Sequence, residues 1–535
     1  MLEKKYLHIH ILLSQFMRDK TASIAMLTGL LAVGSAFTFY MPIITRNIAD
    51  GAINGYAAEL ICDLALFMLM GVGAVIVGYG SNLLIVEIGI ALSYRLRKSV
   101  LNKALSHWHD DITTGDLITR VSGDCQSITH FIVGTVPNVL MNATALIVSI
   151  CLLFWFDWVF GVTALLSFPV LYYVTKSQSI KIAKSSSIER EKDGLIMHFV
   201  QYVMNSFPVI IGARMQNAIY EKYDRNLIEY NTVSMDVNKR KIGGQSLLSL
   251  LNTLHNCVFF CLGVAFVANG RFSIGTFVAI SSLSSKIISQ AGFFARVPLQ
   301  WAHTSVSLDR IVYILEKENH KLITAPADRN ILLTADGLSM RGGGAFSLHC
   351  ERGDVIGIKG QTGSGKTTLA LKIAGLLSTD IQLSIHGISH DDIMYVPIAR
   401  GMCPALSLRE NIHSSCSDSI LDQMLAAVGM EERWHISGLG YDDDLTEFCN
   451  HLSSGEQQRL AIGRALVRKP ILLILDEAIS NIDALGSGSI LKSLTDNLLP
   501  KGAIVIISHR ECDFALCNKV IDMPSKEPLS FTADS

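Results

Sequence analysis

Apolar residues fill the first half of the chain in long blocks and the second half in short pieces. From Thr21 to Thr45 there is no charged side chain. That run exceeds the ~20 residues a helix needs to cross a bilayer. Five more apolar runs follow, over 63–92, 131–155, 158–176, 246–268 and 273–294. Only Phe156-Asp157-Trp158 separates the third from the fourth, which predicts a tight hairpin with an aromatic anchor at the membrane interface. A soluble core can hide one apolar run of this length, but six require lipid. The expectation is six membrane-spanning helices.

The connections alternate in charge. Lys4, Lys5, Arg18 and Lys20 precede the first run, Arg95, Arg97, Lys98 and Lys103 follow the second, and a long basic segment from Lys176 to Lys241 joins the fourth to the fifth. The other connections, 46–57, 156–158 and 269–272, are short loops. The excess of Lys and Arg predicts that both termini and both long connections are cytosolic, in a multi-pass protein of the cytoplasmic membrane. Both long connections read as helical, so the spans should continue well beyond the membrane.

Past the sixth run the periodicity changes. Ser307 to Leu315 is an amphipathic helix, and polar residues follow it. From Ile331 onward, short apolar strands, glycine turns and amphipathic helices alternate, the pattern of an α/β domain. The predicted layout is a transmembrane domain over 1–320, a linker over 321–330, a nucleotide-binding domain over 331–524 and a tail over 525–535. The fold class is multidomain: an all-α six-helix transmembrane domain followed by an α/β P-loop NTPase domain.

Composition sharpens this slightly. Half of the 535 residues are hydrophobic and the mean hydropathy is +0.37, high for a soluble protein. The net charge of −2 gives no sign of a nucleic-acid partner. The eleven cysteines are scattered, which suits reduced thiols better than a disulfide framework. The start does not read as a signal peptide.

Chemistry enters at Gly360-Gln361-Thr362-Gly363-Ser364-Gly365-Lys366-Thr367, a full G-x-x-x-x-G-K-[ST] pattern between a strand-like and a helix-like segment. Glycines let backbone N–H groups turn inward around phosphate oxygens, and the following helix, with Thr368, adds its positive end. Lys366 reaches the terminal phosphates and Thr367 offers a hydroxyl to Mg²⁺. A glycine-rich turn that binds nothing is the bland alternative, and the flanking elements argue against it. Leu472 to Glu477 is an apolar strand ending in two carboxylates. There Asp476 suits the Mg²⁺ shell and Glu477 suits a general base. Leu452-Ser453-Ser454-Gly455-Glu456-Gln457-Gln458-Arg459 opens a helix that Ser453 or Ser454 can cap, with free N–H groups facing an anion.

These motifs, followed by Ile507-Ser508-His509, stand in the order they have in an ABC ATPase, which the second half resembles. The first half is similar to an ABC exporter: Thr114-Gly115-Asp116-Leu117-Ile118-Thr119-Arg120, with Asp124, matches that family's T-G-[DE]-L-x-x-R-x-x-x-D stretch. The resemblance implies two ATPase domains closing head to tail around two ATP molecules. Ser453, Ser454, Gly455 and Glu456 of one chain would then wall the nucleotide held by the other. It implies Glu477 acting on water, His509 at the γ-phosphate and Asp483 at the dimer seam. One membrane half with one ATPase half makes half a transporter, so the expected partner is a second copy, with a heterodimer as the alternative.

The chain also departs from that pattern. Met340 stands where an adenine-stacking aromatic is usual, and Ile398 where a Gln contacts Mg²⁺ and relays to the membrane half. Ser454 and Glu456 replace Gly and Gln, and Asn481 replaces Ala. Every hydrolytic residue is nevertheless present, so hydrolysis is expected. The competing reading is an ATP-binding regulatory or partner subunit with impaired turnover. An importer fits less well, because the membrane half precedes the ATPase on one chain. No Cys/His protease-like segment precedes the spans, so leader cleavage is not expected.

Polar residues within the spans are cargo candidates. Ser282, Ser285, Lys286 and Ser289 share a face of the sixth span, and Asn252, His255 and Asn256 a face of the fifth. Asn138 and Asn142 lie at i,i+4 in the third. The structural alternative is helix–helix hydrogen bonding. A cavity holding Lys286 and His255 would suit an anionic cargo such as a peptide or amphipathic metabolite, with Glu87 or Asp63 as counter-charge.

Overall fold

The computed structural model describes residues 7–55, 57–106, 112–316, 323–325, 330–339, 345–361, 363–377, 382–398, 401–482, 484–499 and 501–523. The chain divides into two compact units. One comprises Met1–Ala104 with Thr113–Lys317, the other Leu105–Ile112 with Glu318–Ser535.

The first unit is helical throughout. After α1 (Leu7–Asp19) come α2 (Thr21–Asn54), α3 (Ala57–Leu105), α4 (Thr114–Phe156), α5 (Trp158–Asn205), the short α6 (Phe207–Gly212), α7 (Gln216–Ala268) and α8 (Ile274–Glu316). Helices α2, α3, α4, α5, α7 and α8 are each long and apolar enough to cross a membrane. At ~1.5 Å per residue, the 53 residues of α7 extend roughly 80 Å, far more than the bilayer core. The amphipathic segment 307–315 leads straight out of the sixth span as the end of α8. Helix α4 contains two wide π-helical turns, Arg120–Asp124 and His130–Thr135.

The structure corrects one boundary. Arg46 to Ala57 reads as a loop, yet α2 runs on to Asn54. The charges that suggest a loop are instead used at the helix end. Arg46 and Asp50 pair at i,i+4, 3.7 Å apart. The Asp50 carboxylate accepts from Ser273 Oγ at 2.7 Å and from the Gly275 N–H at 2.8 Å, joining α2 to the start of α8. The 156–158 turn is as tight as expected. Asp157 caps α5 through the Val159 N–H at 2.8 Å and pairs with Arg271 at 2.8 Å. Phe160, Phe259, Phe266 and Phe272 pack together beside that pair.

The T-G-D-L motif has a structural use within this unit. Arg120 donates to Asp116 at 3.0 Å and to the Arg310 carbonyl at 3.1 Å. Buried Asp124 accepts from Ser307 Oγ at 2.7 Å. The motif therefore ties α4 to α8.

The second unit is α/β. Its strands are β1 (Ile323–Ala325), β2 (Ile331–Ser339), β3 (Ala345–Glu351), β4 (Val355–Lys359), β5 (Gln382–His386), β6 (Ile393–Val396), β7 (Leu472–Asp476), β8 (Ala503–Ile507) and β9 (Lys519–Asp522). Among the described residues the central sheet has the order β6-β7-β8-β4-β9 and every pairing in it is parallel. Strands β7 and β8 are buried along their whole length, as parallel strands covered on both faces must be. A smaller sheet, β1-β5-β2-β3, contains both parallel and antiparallel pairs. The helices that matter for the site are α9 (Lys366–Ile373) and α10 (Ser454–Arg468).

Candidate active site

Parallel pairing gathers the motifs at one end of the central sheet. The phosphate loop follows β4, Glu477 follows β7, His509 follows β8 and Ile398 follows β6. The carboxyl ends of parallel strands are where α/β sheets bind ligands. Register does the rest: Asp476 pairs with Ile507, and the Glu477 N–H donates to the Ile507 carbonyl at 2.9 Å. Glu477 thus stands beside the residues that follow β8.

In the phosphate loop, Gly363 and Gly365 adopt φ of +83° and +96°, which side-chain-bearing residues rarely tolerate. Lys366 is 6% exposed and folds back on the loop, donating to the carbonyls of Gly360 at 2.8 Å and Gln361 at 2.9 Å. Burial lowers the pKa of its ammonium, while Glu477 and Asp476 act in the opposite sense. Thr367 and Thr368 are exposed at the start of α9. Thr362, Met340 and Asp483 lie outside the described residues.

Asp476 is 1% exposed and accepts from Tyr395 Oη at 3.0 Å. Burial and the neighbouring carboxylate push the Tyr395 hydroxyl well above its ordinary pKa, so it stays a donor. His509 Nε2 lies 3.0 Å from Glu477 Oε1. Glu477 has φ +50°, an unusual conformation for a residue with a side chain and one that collects at functional sites. Together these groups place a carboxylate, an imidazole and a buried lysine at one end of the central sheet, the equipment for activating water against a phosphate.

Ser453 is the N-cap of α10. It accepts from the Glu456 N–H at 3.2 Å, and Glu456 returns a carboxylate to the Ser453 N–H at 2.7 Å. Glu456 also lies 3.6 Å from Arg433, which offsets the charge this chain has in place of a neutral Gln. Gly455 is required by a close approach: a Cβ there would sit 2.7 Å from the Asn481 carbonyl oxygen.

Two residues that the sequence does not single out connect these parts. Arg510 donates to the carbonyls of Ser480 and Ile482, each at 2.8 Å, and pairs with Asp513 at 3.0 Å. Gln458, on α10, reaches the backbone of Ile398, Glu477 and Asn481. The groups that Gln458 reaches, and the carbonyls that Arg510 reaches, are main-chain atoms, which leave no side-chain pattern to read.

The cargo candidates fare differently. Ser282, Ser285 and Ser289 hydrogen-bond to carbonyls of their own helix, and so do the amides of Asn138 and Asn142. His255 is buried against Ser284, 2.9 Å away, and stacks on Phe259. Half-buried Lys286 lies 3.5 Å from the Thr38 carbonyl. Glu87 pairs with Lys20 at 3.0 Å and so is not its counter-charge. Asn252 is half-buried and Asn256 exposed. A cavity of about 500 Å³ opens along the π-helical turns of α4, bordered by Gln126, Ser127, His130, Gln300 and His303.

Known proteins fit this geometry. A family model for the ABC transporter transmembrane region matches residues 24–291, just over half of the chain, and a second, described as ABC transporter, matches 344–480. The chain belongs to the ABC transporter family. It is 23% identical over 517 residues to the uncharacterized ABC transporter ATP-binding protein YknV of Bacillus subtilis, covering 89% of this chain and 83% of YknV. It is 25% identical over 472 residues to the alpha-hemolysin translocation ATP-binding protein HlyB of Escherichia coli O157:H7, covering 82% of this chain and 64% of HlyB. A solved bacterial Atm1-family ABC exporter with ATP bound superposes with a TM-score of 0.78 at 17% identity, covering 94% of each chain. The chain is a multi-pass ABC exporter whose ATPase domain binds and hydrolyses ATP.

Proposed function

We propose that this chain is half of an exporter that works as a pair of identical copies, with both termini in the cytosol and the spans in the cytoplasmic membrane. Two ATP molecules are then shared between the copies. Each lies on the phosphate loop of one chain, from Gly360 to Thr368, and against Ser453, Ser454, Gly455 and Glu456 of the other. Met340 contacts the base and Asp483 lies at the seam. The observation that carries the reading is the Glu477–His509 contact at 3.0 Å, next to buried Lys366.

Each residue has a step. Lys366 leaves its loop carbonyls for the terminal phosphate oxygens. Glu477 takes a proton from the attacking water, and His509 holds Glu477 in place and meets the γ-phosphate. Thr367 and Asp476 present hard oxygen ligands, the donor set Mg²⁺ prefers, and the buried Asp476 carboxylate held by Tyr395 fits that role. A bound Mg²⁺ supplies charge neutralisation at the phosphates. Closure of the two ATPase domains opens the outer side, and hydrolysis resets it.

The cargo is a peptide or an amphipathic, anionic metabolite. HlyB is named for alpha-hemolysin translocation, which supports the peptide end of that range. Lys286, His255, Asn252, Asn256, Ser282 and Ser289 remain the sequence-derived contacts, and the cavity beside His130 and His303 adds a further place for cargo to dock. The test is vanadate-sensitive ATPase activity of the chain purified alone. Turnover supports the identical pair. ATP binding without turnover would favour the partner-subunit reading.

A further inference from the structure

We infer that Gln458 is the positioning residue through which the two ATP sites of the dimer sense each other. The inference rests on the shared-site reading above. Gln458 is 3% exposed on the first turns of α10, the helix that faces the partner's nucleotide. Its side-chain N–H groups donate to the Ile398 carbonyl at 2.8 Å and the Glu477 carbonyl at 3.5 Å. Its oxygen accepts from the Asn481 N–H at 3.3 Å. One amide therefore bridges the loop after β6, the general base and the loop 479–482. A buried amide whose donors and acceptor are all matched is costly to disturb.

The backbone nature of these contacts explains why Ile398 and Asn481 are tolerated. A side-chain relay at 398 is impossible with Ile, whose side chain is 45% exposed and apolar. Its carbonyl still reports to Gln458, whatever side chain it carries. Glu477 sits at φ +50°, a conformation that must be held from outside. The Ile507 carbonyl holds its N–H and Gln458 holds its carbonyl. Loop 479–482 is gripped on one side by Gln458 and Gly455 and on the other by Arg510, which follows His509 in sequence. A shift of α10 when ATP fills the partner's site is thereby passed to the backbone of this chain's own Glu477.

The experiment uses the full chain in proteoliposomes, measuring ATPase rate against ATP concentration. Gln458→Met keeps length and burial without hydrogen bonds. Gln458→Glu keeps the acceptor and loses both donors. The wild-type curve is expected to be sigmoidal. In both variants it becomes hyperbolic, and kcat falls roughly 10- to 100-fold, the scale of a misplaced catalytic group. KM for ATP changes far less, because the phosphate loop is untouched. A merely structural role would lower the unfolding temperature and the rate but leave the Hill coefficient alone. A sigmoidal curve retained in either folded variant overturns the inference while the shared-site reading stands. A hyperbolic wild-type curve also overturns the inference, since the two sites then do not sense each other. Turnover that is independent of chain concentration in detergent at high dilution overturns the shared-site reading itself.

Discussion

The polar residues around the ATPase site and the polar cargo candidates within the spans find their partners in different ways. In the ATPase half the reach is long: Gln458 binds residues 60 and 19 positions away, and Arg510 residues 30 and 28 positions away. In the membrane half most of the intramembrane candidates bond to a carbonyl three or four residues back on their own helix. In a bilayer a hydroxyl or amide must find a partner, and its own helix is the nearest. A contact that only the finished fold can make says something about a site. A contact that any helix offers its own serine says almost nothing.

The largest effect should come from the long-range set. Glu477→Gln keeps size and burial but removes the base, and general-base loss is worth roughly 10²- to 10⁴-fold in rate. Vanadate-sensitive ATPase should fall by at least a hundredfold while ATP binding, read by a fluorescent analogue, persists. A comparable fall in basal rate for Ser289→Ala would break the comparison, since that hydroxyl bonds to its own helix, far along the chain from the hydrolytic residues.

Next is Gly455→Ala. The added methyl group meets the Asn481 carbonyl at 2.7 Å, so α10 or loop 479–482 must move. A displacement of that kind costs on the order of tenfold in turnover. An unchanged rate would mean that the contact between α10 and the loop has no part in hydrolysis.

This contrast also explains what was legible beforehand. The phosphate loop, the carboxylate-ended strand and the late histidine could be read because phosphate chemistry demands those residue types in that order. The parallel sheet then brought Glu477 and His509 together as expected. The parts that Gln458, within the 452–459 stretch, and Arg510 play are not legible in the sequence, because the backbone groups they reach have no sequence signature. Six spans were readable from apolar length alone. The 46–57 stretch misled because charges look like a loop, whereas Arg46 and Asp50 are one helical turn apart and Asp50 reaches across to α8. The row of hydroxyls on one face of α8 is equally readable from spacing, but its bonds run to the helix's own carbonyls and say little about cargo.

Asp50 tests whether the membrane half has long-range contacts that matter for stability. Asp50→Ala leaves Ser273 Oγ and the Gly275 N–H without their acceptor, at a cost of about 1–3 kcal/mol. In detergent, the unfolding temperature of the chain should drop by several degrees, about 2–4 °C for each kcal/mol lost by the scaling for large domains. ATPase activity at low temperature should change little. A shift no larger than that of Ser282→Ala would show that the Asp50 contact adds nothing beyond local bonding.

The smallest effect should fall on Lys286, and it is the most discriminating. Among the span-six candidates its ammonium has a contact outside its own helix, the Thr38 carbonyl at 3.5 Å, a long and weak one for a charged donor. A cation so loosely held within the spanning helices is the group an anionic cargo would compete for. Lys286→Ala should lower the ratio of cargo-stimulated to basal ATPase toward one for carboxylate-bearing peptides, and less for neutral ones. Lys286→Arg, which keeps the charge, should restore most of the response. If alanine and arginine behave alike, the side chain only bridges helices, and the search for cargo contacts moves to the cavity beside His130 and His303.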